Sequence, residues 1–63
     1  MKIYLQKYRT ERGISTRELS EMTGIARSYI IKIEAGKANP SSSILCKLSK
    51  ALEIDIANLI KCD

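Results

Sequence analysis

Apolar side chains along this chain recur at intervals of three and four, the spacing of one helix face, and do not alternate as they would in half-buried strands. That pattern predicts five helices and no strand. The first runs from Lys2 to Arg12, carries Leu5, Tyr8 and Arg9 at helical spacing, and stops at Gly13. The second, Thr16 to Thr23, follows Ser15-Thr16-Arg17-Glu18, a capping box in which the serine and glutamate each satisfy an amide left open by the helix start. Leu19 and Met22 are its expected inward pair. Thr23-Gly24-Ile25 then breaks the pattern with a residue free to take positive φ. The third helix, Arg27 to Ala35, turns Ile30 and Ile33 inward and ends at Gly36. Pro40 blocks helix continuation from the loop 37–40, and Ser41, Ser42 and Ser43 offer caps for a fourth helix, Ser42 to Leu52. Its apolar stripe is Ile44 or Leu45, then Leu48, Ala51 and Leu52. Asp55 is placed to cap a short fifth helix carrying Ile56, Leu59 and Ile60. The expected architecture is therefore all-α, a compact five-helix domain over residues 1–63 with a helix-turn-helix at its centre.

The third helix has two unlike faces. Side chains advance about 100° per residue, so with Ile30 at zero, Ile33 falls near −60° and Glu34 near 40°. Ser28 and Lys32 then lie at roughly 160° and 200°, with Ala35 and Ile31 near 140° and 100°. The face opposite the core thus shows small or long-stemmed residues, with Arg27 at its N-terminal edge. Such a face fits the edges of base pairs. Arg27 matches guanine O6 and N7, Ser28 is compatible with several bases, Ile31 suits a thymine methyl, and Lys32 reaches guanine or phosphate. Ile31 is equally suited to packing on a partner protein.

Charge sharpens this picture. The net charge is +4, and residues 1–40 carry eight Lys and Arg against four Glu, while residues 41–63 carry three cations against three carboxylates. The whole excess therefore lies on the segment holding the two-helix unit, and a basic face attracts polyanions. Within 63 residues one domain is expected, with no separate sensor, catalytic or oligomerisation domain. It has no His, no G-x-x-x-x-G-K-[ST] and no nucleophile paired with a base, so the reading is not an enzyme. Cys46 and Cys62, sixteen residues apart, cannot complete a four-ligand zinc site; free thiols, buried or terminal, in a reducing compartment are expected. No metal or cofactor is implied. MKIYLQKYR has too short an apolar run for a secretory signal, and no stretch reaches a membrane span, so the expected location is the cytoplasm, away from the membrane.

The run G-I-S-T-R-E-L-S-E-M-T-G-I-A-R-S-Y-I-I-K-I-E-A-G-K-A-N-P resembles the helix-turn-helix family of phage repressor and Cro proteins, the XRE-type group of bacteria. The later S-I-L-C-K-L-S-K-A-L-E-I-D-I-A-N-L-I is similar to its fourth and fifth helices, so the resemblance spans about Leu5 to Ile60. It implies double-stranded DNA as partner. Thr16 and Arg17 fall where family members meet phosphate, a place a helix N-terminus also favours. Arg27, Ser28 and Lys32 fall on base-reading positions and Tyr29 on one that touches the DNA backbone. Lys37 and Asn39 lie in a loop similar to a second phosphate clamp. Arg9 and Glu34 match a salt-bridge pair tying the first helix to the third. Ala26 departs from the family, which commonly has Ser or Thr capping the recognition helix; Ser20 stands where Ala is usual, and Thr23 where a more apolar residue is usual.

A regulator of this size offers one recognition helix, so a homodimer on a pseudo-palindromic operator is the economical arrangement. Ile54, Ile56, Ile60 and the tail around Cys62 are either its dimer surface or ordinary core. Bound protein would block RNA polymerase or recruit it. The alternative is a protein-interaction module, an antitoxin or inhibitor that uses the same fold to mask a partner.

Overall fold

The computed structural model describes residues 2–61. Five helices follow in order: α1 (Leu5–Glu11), α2 (Thr16–Thr23), α3 (Arg27–Glu34), α4 (Ser42–Ala51) and α5 (Ile56–Leu59). Two short strands, β1 (Lys2–Ile3) and β2 (Ile60–Lys61), frame them and pair antiparallel, with Ile3 opposite Ile60 and Lys2 opposite Lys61. These strands correct the expectation of helices alone, and the first helix begins at Leu5 rather than Lys2. The reason is tertiary. The Tyr4 amide donates to the Leu59 carbonyl at 2.8 Å, which ties the start of the chain to its other end and holds Lys2–Ile3 extended.

Local chemistry sets the other boundaries. Ser15 Oγ accepts from the Glu18 amide at 3.0 Å, and the Ser15 amide donates to Glu18 Oε1 at 3.3 Å, so both halves of the capping box form. Gly24 closes α2 in the left-handed conformation at φ 75°, which a Cβ would disfavour. Ser41 Oγ accepts from the Ile44 amide and starts α4 just after the buried Pro40. Asp55 occupies the cap position of α5, but its side chain makes no hydrogen bond to the helix amides, contrary to the capping role expected of it.

The core draws on every helix. Leu5 of α1, Leu19 of α2, Ile30 and Ile33 of α3, Leu45 and Leu48 of α4 and Leu59 of α5 are buried, joined by Ile25 from the turn and Leu52 just beyond α4. Ile54, Ile56 and Ile60 pack half-buried against this cluster; Cys62 lies outside the described residues. Two side chains point elsewhere than expected. Met22 is 54% exposed rather than inward, because α2 presents its Ser20 flank to the turn and so carries Met22 outward. Cys46 is a free thiol on the exposed side of α4, neither buried nor terminal.

Candidate nucleic-acid interface

The turn between α2 and α3 is closed by side-chain hydroxyls. Ser20 Oγ donates to the Ile25 carbonyl at 2.6 Å. Thr23 Oγ1 donates to the Leu19 carbonyl at 2.7 Å and accepts from the Ile25 amide at 3.2 Å. Both backbone groups of Ile25 are thereby satisfied while its side chain enters the core, which avoids the cost of burying unpaired polar atoms. Ser20 and Thr23, departures from the family pattern, thus have a local role in this chain. Their hydroxyls, five and two residues before Ile25, were the signal for this seal.

With the turn fixed, α3 lies with Ile30 and Ile33 buried. Its inner edge is held by an ion pair. Arg9 Nε donates to Glu34 Oε2 at 2.9 Å and its Nη2 to Oε1 at 3.1 Å, a two-pronged contact with side chains only 13% and 11% exposed. Arg9 Nη1 also donates to the Ile14 carbonyl at 2.9 Å, so one guanidinium ties α1, the segment before α2 and α3 together.

The opposite side of α3 is open. Arg27, Ser28, Ile31, Lys32 and Ala35 are all exposed, Ile31 at 48%. Ala26 gives the helix no side-chain cap, so no side chain covers its first amides. Arg27 Nε donates to Thr16 Oγ1 at 3.1 Å. This bond joins the first residues of the two helices and occupies the inner edge of the guanidinium, leaving its two Nη nitrogens without a partner among the described residues. Arg17 lies along α2 toward Glu21 at 3.6 Å, an exposed pair that screens easily. Tyr29 is half-buried against the core. Lys37 and Asn39 stand exposed in the loop leaving α3, where the Lys37 amide donates to the Lys32 carbonyl at 2.9 Å. The structure thus joins Thr16 to Arg27 and Arg9 to Glu34, sets Ser28, Ile31 and Lys32 on one face, and places Lys37 and Asn39 beyond the end of that face. Among the described residues no group of three or more His, Cys, Asp or Glu could hold a metal, and no helix is long and apolar enough to cross a membrane.

Two helices at a tight glycine turn, the second held by its inner face and open on its outer one, define the helix-turn-helix class of phage repressor and Cro type. The chain belongs to the Helix-turn-helix family, whose model matches residues 5–59. It is 39% identical over 57 residues to the HTH-type transcriptional regulator SinR of Bacillus subtilis, covering 89% of this chain and 51% of SinR. It therefore spans about half the length of that relative. Among solved structures, SinR in complex with DNA superposes with a TM-score of 0.86 at 38% identity, covering 90% of this chain and 92% of that one. The restriction-modification controller protein C.AhdI of Aeromonas hydrophila superposes with a TM-score of 0.85 at 36% identity, covering 89% and 85%.

Proposed function

We propose that this chain is a sequence-reading regulator of transcription that binds double-stranded DNA with α3 in the major groove, residues 1–63 acting as one DNA-binding domain in the cytoplasm. The observation that carries this reading is the Thr16–Arg27 hydrogen bond beside an otherwise open α3 face. A long flexible cation at a helix start normally samples many rotamers. Here one edge of the guanidinium is held, and the remaining N–H groups form the fork that matches guanine O6 and N7. Ser28, Ile31 and Lys32 follow along the same face, with Ile31 set for a thymine methyl. Arg17 and the amide end of α2 meet phosphate on one side, Lys37 and Asn39 meet it on the other, and Tyr29 lies against the sugar-phosphate backbone. The likeness to SinR, an HTH-type transcriptional regulator solved in complex with DNA, supports DNA binding.

One α3 gives few base contacts, so the active form is a homodimer on a pseudo-palindrome, with half-sites about one helical turn apart. Ile54, Ile56 and Ile60 supply the contact between copies. Occupancy of the operator then excludes RNA polymerase or recruits it.

Selection of bound duplexes from a random DNA library tests this reading. The expected result is a paired motif with half-sites about ten base pairs apart. Binding to the selected site should also weaken with salt, with a log–log slope of about −0.9 for each phosphate contacted. A folded protein that enriches no motif, or a flat salt response, would leave this reading without support and favour the protein-interaction module.

A further inference from the structure

Two large apolar side chains stand exposed among the described residues, Ile31 and Met22. Ile31 belongs to the α3 face already assigned to DNA. Met22 does not. It lies with Thr23 opposite Lys47, Lys50 and Ala51 of α4, in an open groove of about 390 Å³ between α2 and α4. With Leu19 at zero on α2, Met22 falls near −60° and Thr16 near +60°, so the groove and the Arg27 contact flank opposite sides of the buried stripe. On α4, with Leu48 at zero, Ala51 falls near −60°, Lys47 near −100° and Lys50 near −160°. The groove therefore has an apolar floor and a cationic wall.

That wall carries no compensating charge. Neither lysine has a carboxylate partner among the described residues, whose ion pairs are Arg9–Glu34, Arg12–Glu53 and Arg17–Glu21. Of the acidic residues of α2, Glu18 takes part in the capping box, and Glu21 lies toward Arg17 at 3.6 Å rather than against either lysine. The Thr23 hydroxyl is used within its own turn. A polyanion alone would satisfy the lysines and leave Met22 wet. A helix with an apolar stripe bordered by carboxylates satisfies both, its apolar side chains covering Met22 and Ala51 and its acids meeting Lys47 and Lys50.

We propose that the α2–α4 groove docks an acidic amphipathic helix of a partner protein, on a flank left open while α3 engages DNA. Peptide docking goes beyond DNA reading, and only the openness of the flank on DNA rests on that reading. The test uses three synthetic peptides of about 18 residues, long enough to form a helix. One places Leu along one face with Glu at its borders; the second has the same composition scrambled; the third has Lys in place of Glu. Each is titrated into the ¹⁵N-labelled 63-residue chain, and amide shifts are followed together with peptide fluorescence anisotropy. The expected result is saturable binding of the acidic amphipathic peptide, with shifts gathered on Met22, Thr23, Lys47, Lys50 and Ala51. The scrambled and Lys peptides should bind at least about tenfold more weakly. K47Q/K50Q should weaken the acidic peptide about tenfold, and Met22→Ser should weaken it severalfold by removing the apolar floor. The lysines make no side-chain hydrogen bond or ion pair among the described residues, so K47Q/K50Q should melt as the parent does, with duplex DNA affinity unchanged. Shifts gathered on α3, equal binding of the scrambled peptide, indifference to K47Q/K50Q and Met22→Ser, or no saturation would each overturn the proposal. Loss of DNA affinity in K47Q/K50Q would overturn it too, by making the lysines phosphate contacts.

Discussion

Helices α2 and α3 are neighbours of equal length, eight residues each, and different physics holds each of them. Helix α2 is stabilised from its ends: a complete capping box at Ser15 and Glu18, a left-handed glycine at Gly24, and Leu19 as its one buried residue. Helix α3 has no side-chain cap at Ala26 and is stabilised from its inner face, by Ile30, Ile33 and the Arg9–Glu34 pair. The contrast teaches how one face of a helix is kept available. When all the holding is done from behind, the front face and the N-terminal amides stay uncommitted and meet a ligand without breaking an internal contact. Among the described residues, only Arg27 is engaged in front, and its bond to Thr16 holds one edge of the side chain while its outer nitrogens have no partner there.

The contrast can be broken most sharply at Ile30. Ile30→Ala should cost about 2–5 kcal/mol in denaturant unfolding, since a fully buried side chain is replaced by a cavity in a small core. A cost below about 1 kcal/mol, the size of a cap, would mean that α3 is held locally after all. Next is Arg9→Ala, expected to cost about 3 kcal/mol because it strands the largely buried Glu34 carboxylate. The double variant Arg9→Leu/Glu34→Leu should recover much of that loss, and a double variant no better than the single would show that packing matters here rather than charge. Ser15→Ala should cost about 1 kcal/mol, with faster amide exchange in the first turn of α2 and little change in α3. Smallest is Ala26→Ser, which adds the missing cap and should raise stability by about 0.5–1 kcal/mol. A thermal melt reads this gain directly; a loss would show that the segment before α3 has no room for a cap.

What could be read from the sequence follows the same division. The capping box, the Gly24 break and the two faces of α3 depend on residues within four positions of one another, and such patterns are written locally. The β1–β2 pair was not legible, because a two-residue ladder has no period and its register depends on the Tyr4 amide meeting Leu59. Met22 departs from its expected inward position for a related reason. Spacing puts it beside Leu19, but its exposure follows from how α2 rolls once Ser20 seals the turn. The contact between Thr16 and Arg27 spans eleven residues and exists only because the turn brings two helix starts together. Family resemblance supplied the Arg9–Glu34 pair and the positions proposed to face DNA; the structure added the bond that holds Arg27.

The central claim is that Arg27, held by Thr16, reads a base. It is tested most directly by measuring the affinity of the parent and of Arg27→Ala for the selected operator and for every single-base variant of it. If Arg27 reads guanine, the substitution removes about 1–3 kcal/mol of discrimination at one position of each half-site and leaves preferences elsewhere unchanged. A uniform loss on all variants, with every preference retained, would make Arg27 a phosphate contact and contradict the account.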